Sequence, residues 1–238
     1  MLYSRRLMIH PATIRAITLD LDDTLWPIAP TMVRAEAALQ QYLREHAPAA
    51  AVLCYQAGGL ARIRQQLQQE WHDRLHDLSA LRRETIRRAL VESGENADLA
   101  VPAFELFFEA RQQVDLYEDA LEALSFLASR YPVVALSNGN ADVNRVGLGQ
   151  HFHAAVSAQE FGVAKPDPRI FHEAASLAGV TAPEVLHIGD DAHLDVLGAR
   201  AAGMQCAWLN RHEQAWPEGS EPPLTFTSLR DLVNHLAA

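Results

Sequence analysis

Lysine is almost missing from this 238-residue chain: 19 of its 20 Lys and Arg residues are Arg, and the exception is Lys165 in Gly162-Val-Ala-Lys-Pro-Asp-Pro. Arg offers a wide planar fork, whereas Lys is a compact charge that can reach between two close oxyanions. An arginine bias with one chance survivor would give the same count, so the weight of Lys165 rests on the motifs beside it. Cysteine is scarce as well. Cys54 and Cys206 cannot make a disulfide framework, which fits a reducing compartment. Long apolar runs are absent: 49% of the residues are hydrophobic, enough for a core, yet no stretch has the length of a membrane helix. Surplus positive charge is also lacking. A net charge of −10 argues against a nucleic-acid or anionic-membrane partner, each of which needs a basic face. Ser4-Arg5-Arg6 is a faint match to a twin-arginine export signal, but no apolar segment with a cleavage site comes after it. The next element is instead a strand ending at Asp20, which cleavage would remove; the expected location is therefore cytoplasmic.

The length exceeds that of one common domain, so a domain with an insertion, or two small domains, is expected. Ile14 to Leu19 form a short apolar, β-branched run with strand character. After Leu25, residues 31–47, 60–76, 79–93 and 99–114 have helical spacing and no convincing strand between them. There, Leu81, Ile86 and Leu90, and Phe104, Phe107 and Phe108, read as packing stripes, with breaks at Pro48, Gly58-Gly59 and Gly94. Strand and helix patterns then alternate: helix 118–130, strand 132–137, helix 141–148, strand 154–158, helix 168–178, strand 185–189, helix 192–202, strand 205–209 and helix 228–237. Gly203 is placed for a left-handed C-cap, and Pro217–Pro223 for a surface loop. Repeated β-α units predict an α/β fold, a mostly parallel sheet flanked by helices, interrupted by a helical piece.

The polar residues gather where strands end, the edge at which open α/β sheets bind ligands. The first strand delivers Asp20 and Asp22, in Asp20-Leu-Asp-Asp-Thr-Leu. At this spacing one carboxylate can act as nucleophile while the other moves protons at the same substrate. Ser137-Asn138-Gly139 closes a second strand, with a hydroxyl and backbone amides able to donate to phosphate oxygens. Gly189-Asp190-Asp191 closes a third, and Asp195 comes in the first turn of the next helix. Gathered carboxylates are a hard-oxygen environment that suits Mg²⁺ better than zinc. Each motif alone has a plainer reading, as an acidic turn, a common Ser-Asn-Gly turn, or an Asp favoured by a helix dipole.

Taken in order, Asp-x-Asp-x-Thr, Ser-Asn, Lys-Pro and Gly-Asp-Asp resemble the haloacid dehalogenase superfamily of phosphohydrolases. The motifs span Asp20 to Asp195. Asp20-Leu-Asp-Asp-Thr-Leu, Ser137-Asn-Gly-Asn, His187-Ile-Gly-Asp-Asp and Asp195-Val-Leu-Gly-Ala-Arg-Ala-Ala-Gly-Met, with Trp208 after it, are similar to its bacterial YigB-type branch. That branch is associated with dephosphorylation of flavin mononucleotide and phosphoribitylaminouracil phosphate. The resemblance implies a Rossmann-like core, residues 1–27 and 116–238, and an inserted all-helical cap, residues 28–115. It also implies an Mg²⁺-dependent phosphatase acting on a small phosphorylated metabolite. Asp20 would be the nucleophile that forms an aspartyl-phosphate, and Asp22 the acid and then the base. Asp20, the Asp22 backbone carbonyl and Asp190 would hold the metal, with Asp191 or Asp195 supporting it through water or neighbouring ligands. Ser137, the Asn138 amide and Lys165 would bind the phosphoryl group, and Thr24 would orient the first loop. A cation is needed there, because two like charges about 4 Å apart repel by roughly 4 kcal/mol at an effective dielectric near 20. Cap closure hinged near residues 26–30 and 115–118 is a further expectation.

Other chemistries of the same superfamily separate in part. Its dehalogenases lack the second Asp of the first motif, which is present here as Asp22. Its phosphonatases use a cap lysine, and residues 28–115 contain none. A phosphomutase, or a silent partner-binding protein that retains the fold, stays open. For substrate contact the candidates are Trp26, whose ring could stack on a flavin or pyrimidine, and Arg82. Trp26 as a core tryptophan is the competing reading. His72-Asp-Arg-Leu-His76 has the i, i+4 spacing of a helical zinc site, but its second residue is Asp where such a site has Glu and no third ligand is evident, so a solvated helix face with paired charges is the better reading.

Overall fold

A computed structural model describes residues 9–56, 58–217, 219 and 221–238, so Ser4-Arg5-Arg6 lies outside the described residues. The chain divides into two compact units, Ile28–Val114 and the pair Met1–Pro27 with Asp115–Ala238. The helical unit holds α1 (Ile28–His46), α2 (Pro48–Tyr55), α3 (Gly59–Glu70), α4 (Leu78–Glu92) and α5 (Ala100–Arg111). Its core arises from helical periodicity: Ala35, Leu39 and Leu43 on α1 meet Ile63, then Ile86, Ala89 and Leu90 on α4, and Ala103, Phe104 and Phe107 on α5. Both predicted stripes are used this way, with Leu81 buried and Phe108 packed at the edge of the cluster.

In the α/β unit, β1 (Ala16–Leu19) is succeeded by α6 (Ala120–Ala128), β2 (Val133–Ser137), β3 (Ala154–Ser157) and the short α7 (Ala158–Phe161). Then come α8 (Pro168–Leu177), β4 (Val185–Gly189), α9 (Gly198–Ala201), β5 (Gln205–Leu209), β6 (Leu224–Phe226) and α10 (Leu229–Ala237). All six strands are parallel in the order β3-β2-β1-β4-β5-β6. That is the Rossmann-like order, which reverses between β1 and β4 and opens a crevice at their carboxyl ends. β1, β2 and β4 are buried along their whole length, as continuous apolar runs in a doubly covered parallel sheet require. One face packs Val134, Leu136 and Val156 against Ile170, Phe171 and Ala174 of α8 and Ala199 of α9.

The structure departs from the sequence reading in five places. Residues 141–148 are turns, not a helix: the Asp142 carboxylate accepts the Asn144 and Arg145 amides, a local alternative to helical bonding. α3 stops at Glu70, and residues 71–77 form turns, so His72 and His76 lack the helix that a zinc pair needs. Pro48 ends α1 but also starts α2, since a first helical position has no use for its missing N–H. β6 is a three-residue edge strand, too short to announce itself by periodicity. The helix after β4 opens with a π-helical turn, Ala192–Leu197, before α9, and Gly203 closes it at φ +80. Among the described residues, no helix is long and apolar enough to cross a membrane.

A carboxylate absent from the sequence reading ties this unit together. Asp119, just ahead of α6, accepts Arg211 Nη2 at 3.0 Å and Nη1 at 3.3 Å, and the Leu229 amide at the start of α10 at 2.7 Å. Burial pushes its carboxyl up, but Arg211 and the amide outweigh burial and hold it below the ordinary 3.8. The folded value is therefore the lower one: stabilisation is whole above the ordinary value and is lost as pH falls through the folded one. Asp119→Ala, which leaves the largely buried Arg211 guanidinium without its carboxylate, is expected to cost about 3 kcal/mol and lower Tm by roughly 6–12 °C at neutral pH in a calorimetric scan.

Candidate active site

The switch point between β1 and β4 collects the residues that the motifs singled out. β1 continues into Asp20, whose amide bonds the Ile188 carbonyl at 2.9 Å, so the pairing of the two strands fixes where its carboxylate stands. The loop then turns sharply. Asp23 takes φ +56, its amide bonds the Trp26 carbonyl at 2.7 Å, and Leu25 bonds back to Leu21. This turn brings the Trp26 indole N–H to Asp22 Oδ1 at 2.8 Å. Trp26 is wholly buried, so it is a strut for Asp22 and not the stacking surface expected of it. Thr24, also wholly buried, sets its hydroxyl 3.4 Å from both Asp20 Oδ2 and Asp190 Oδ1, and orients the two carboxylates.

Lys165 occupies the centre. Its Nζ lies 2.5 Å from Asp20 Oδ1 and 2.6 Å from Asp195 Oδ1, and the residue is only 4% exposed. Burial alone would lower the ammonium pKa, but Asp195 and Asp20 reverse this and hold it above the usual lysine range. Two strand ends aim the lysine. The Asn138 side chain brackets its backbone, accepting the Lys165 amide at 2.7 Å and donating to the Lys165 carbonyl at 3.0 Å. Asn138 thus has a positioning task for its side chain that sequence reasoning does not reach. Ser137 Oγ accepts the Gly139 amide at 2.9 Å, which leaves its own proton for an acceptor.

Asp195 is wrapped by donors. Oδ1 takes Lys165 and His187 Nε2, the latter at 3.1 Å, and Oδ2 takes the Asp191 amide at 3.0 Å. Burial works against the ionised form, but Lys165 and His187 hold the carboxyl below the usual range. Room for it exists because residue 189 is glycine: a Cβ there would lie 2.3 Å from Asp195 Cγ. Asp191 spends its own carboxylate capping the π-helical turn, accepting the His193 amide at 2.8 Å and the Leu194 amide at 2.7 Å. Of the two proposed supporters, Asp195 is the one whose carboxylate joins the cluster.

Carboxylate oxygens of Asp20, Asp190 and Asp195 lie within 4.8 Å of one another. Burial, opposed by Lys165 and reinforced by Asp195 and Asp190, drives the Asp20 carboxyl well above its ordinary value. Burial, Asp195 and Asp23 push Asp190 up to about 7. One ammonium against this many acids leaves negative charge uncompensated, and all the donors are hard oxygens, so the residues fit a divalent cation such as Mg²⁺. With Asp195 taken by Lys165 and His187, Asp20 and Asp190 are the carboxylates open to it. Trp208 steadies the latter residue, its indole N–H donating to the Asp190 carbonyl at 2.6 Å.

Arg82 belongs to the helical unit. It pairs with Glu36 Oε1 at 2.5 Å and lies 4.4 Å over the Phe107 ring, on a groove of about 510 Å³ that also includes Tyr55 and Arg64. Sequence reasoning missed Arg211, whose Nη2 donates to the Thr24 carbonyl at 3.0 Å and so braces the first loop. It also gave no task to Thr18 or His187, although a Thr and a His inside otherwise apolar strands were a visible signal.

Comparisons with known proteins agree with this geometry. The family model for haloacid dehalogenase-like hydrolases matches residues 14–203. The 5-amino-6-(5-phospho-D-ribitylamino)uracil phosphatase YigB of Escherichia coli K12 is 31% identical over 229 residues, 93% of this chain and 95% of that protein. A glyceraldehyde 3-phosphate phosphatase from Methanopyrus kandleri is 29% identical over 94% of this chain and 99% of its own. The crystal structure of a 2-haloacid dehalogenase from Pseudomonas syringae pv. Tomato DC3000 superposes with a TM-score of 0.88 at 38% identity, covering 94% of this chain and 98% of that one.

The Gly189 contact yields a direct test. Gly189→Ala forces Asp195 out of its place and is expected to lower Tm by several degrees, whereas Gly219→Ala, with open space around the new methyl, leaves Tm unchanged in the same scan.

Proposed function

The chain belongs to the haloacid dehalogenase-like hydrolases, and we propose that it is their phosphatase kind: an Mg²⁺-dependent phosphoric monoester hydrolase that works through an aspartyl-phosphate on Asp20. The observation that carries this reading is the second carboxylate, Asp22, held by Trp26 beside a nucleophile that already touches the sole lysine. Phosphate ester cleavage needs a group that protonates the leaving alkoxide and later deprotonates water, and Asp22 is placed in the same loop to do both.

In the first half, an Asp20 oxygen attacks phosphorus, the ester P–O bond breaks, and the leaving oxygen takes its proton from Asp22. In the second, Asp22 takes a proton from water, the hydroxide oxygen bonds to phosphorus, and Asp20 leaves as a carboxylate with inorganic phosphate released. Lys165 and the Ser137 hydroxyl, with the Asn138 amide, stabilise charge on the non-reacting phosphoryl oxygens. Asp20, Asp190 and the Asp22 carbonyl would hold Mg²⁺, which when bound neutralises repulsion between the nucleophile and a dianionic phosphate. Thr24 keeps Asp20 and Asp190 in register for this.

The substrate is a small phosphorylated metabolite, and the likeness to YigB along nearly the whole chain favours phosphoribitylaminouracil phosphate or flavin mononucleotide, hence a place in riboflavin biosynthesis. The helical unit would be the cap that selects it, with Arg82 as a candidate contact. Two buried free cysteines and the acidic charge fit a cytoplasmic protein with no nucleic-acid or membrane partner. A second reading, hydrolytic removal of halide from a 2-haloacid, is favoured by the likeness to the Pseudomonas syringae structure. Asp22 speaks against it, since halide leaves without protonation.

Two measurements decide between these readings. Phosphate release from a panel including flavin mononucleotide, phosphoribitylaminouracil phosphate, sugar phosphates and nucleotides is expected only with Mg²⁺ and to cease with a chelator, whereas chloride release from 2-chloropropionate under the same conditions would favour the dehalogenase. Asp20→Asn should abolish turnover with unchanged circular dichroism, and Asp22→Asn should lower kcat about 10²–10⁴-fold; an Asp20→Asn enzyme near the wild-type rate would remove Asp20 from the nucleophile's role.

A further inference from the structure

We propose that Thr18 and His187, buried beneath the site and touching no substrate, are positioning residues that set Lys165 through Asp195. The inference rests on the phosphatase reading for its kinetic consequence, but its structural content stands on geometry alone.

Thr18 and His187 are register partners on the adjacent central strands β1 and β4, and each is wholly inaccessible to solvent. Thr18 Oγ1 lies 2.8 Å from His187 Nδ1, and His187 Nε2 lies 3.1 Å from Asp195 Oδ1. An ionised carboxylate only accepts, so Nε2 carries the ring proton and donates. Nδ1 must then accept, and the Thr18 hydroxyl supplies the proton. Burial lowers the His187 pKa, consistent with this neutral tautomer. The Phe171 ring meets the imidazole edge-on, with centroids 5.1 Å apart at 82°, and removes its freedom to swing. The order of donation is thus one-way: Thr18 to His187, His187 to Asp195. Lys165 then donates to the same Asp195 oxygen and to Asp20, and its third N–H, which bonds to no described residue, remains for a phosphoryl oxygen.

Such a scaffold answers a physical need. A lysine head sits on a flexible four-carbon stem and has no preferred fork geometry. A single carboxylate partner would leave it several rotamers; a partner whose two oxygens are both pinned leaves one. His187 pins the oxygen that Lys165 uses, while the Asp191 amide pins the other. Threonine is the residue that suits β1 here, because it has strand character, the volume of valine and one donor.

The sole lysine makes the test unusually clean, since a protein labelled with ¹⁵N at lysine Nζ contains one side-chain ammonium to observe. In wild type a single protected Lys165 ammonium signal is expected. Thr18→Val, which deletes only the donor, should shift that signal or lose it to solvent exchange, and Thr18→Ser should restore it. On para-nitrophenyl phosphate, Thr18→Val should lower kcat about tenfold with KM little changed, and Thr18→Ser should recover it. His187→Gln, whose amide can still donate to Asp195, should retain more of kcat than His187→Leu. An unchanged ammonium signal in Thr18→Val, or an unchanged kcat whatever happens to Tm, overturns the proposal; so does failure of serine to rescue, which would assign the effect to packing. If wild type releases no phosphate from any ester, the phosphatase reading fails, and the ammonium spectra still decide whether Thr18 sets Lys165.

Discussion

A buried ammonium shared between two carboxylates is the constraint around which this site is built. Charges taken out of water cost several kcal/mol each, and the cost is offset only when geometry is good and the remaining donors and acceptors are satisfied. Lys165 meets Asp20 and Asp195 in almost complete seclusion, so the surrounding residues must complete that satisfaction. Asn138 grips the lysine backbone, Gly189 withholds a side chain, and the Asp191 amide and His187 saturate Asp195. With Asp195 satisfied in this way, a single ammonium is left to balance Asp20 and Asp190, and burial with carboxylate repulsion pushes both of these carboxyls up. The same arrangement therefore makes one carboxylate a structural anchor and leaves two with fewer partners.

Much of this is legible in the residues. The α/β class, the parallel sheet and the helical insertion can be read from periodicity, and Asp20, Ser137 and Gly189-Asp190 from polar residues closing apolar strands. Lys165 stands out by rarity. Other features are hidden because they depend on pairings distant in the chain. Nothing near Asn138 announces that its side chain will clasp the backbone of Lys165, 27 residues on. Asp119 and Arg211, 92 residues apart, look like ordinary surface charges until the fold sets them together. Trp26 misleads because proximity to a motif does not say which way a ring points; here its N–H is drawn to Asp22 and its face is buried. Residues 141–148 mislead for a local reason, since side-chain acceptors such as Asp142 compete with helical bonding in ways that apolar spacing ignores.

The division of labour between the two units also reads differently at the two levels. In the α/β unit, side chains are fixed by strand register, hydrogen bonds and ionic contacts, so that a residue such as Thr24 has little choice of neighbour. In the helical unit the core contacts are apolar side chains at helical spacing, which many sequences can satisfy, and its ion pairs, such as Arg82–Glu36 and Arg88–Glu70, lie outside that core. Chemistry is the conservative demand and packing the permissive one, and a protein that keeps the first on one unit can vary the second on another without disturbing it.

The strand order has a consequence in time. β1 lies at the centre of the sheet, yet both strands that flank it are made later, and Thr18 waits 169 residues for His187. At typical synthesis rates of about 5–20 residues per second, that is roughly ten to thirty seconds on the ribosome. Throughout that interval an apolar strand bearing Asp20 has no β4 to pair with, and an unpaired strand edge invites association with other chains. A nascent chain thus carries Asp20 early but has neither Lys165 beside it nor Asp195, the second carboxylate that the lysine touches. The cluster around Lys165 is completed only with the last third of the polypeptide, so the stretch of synthesis in which the central strand lacks its partner is also the one in which the site is unassembled.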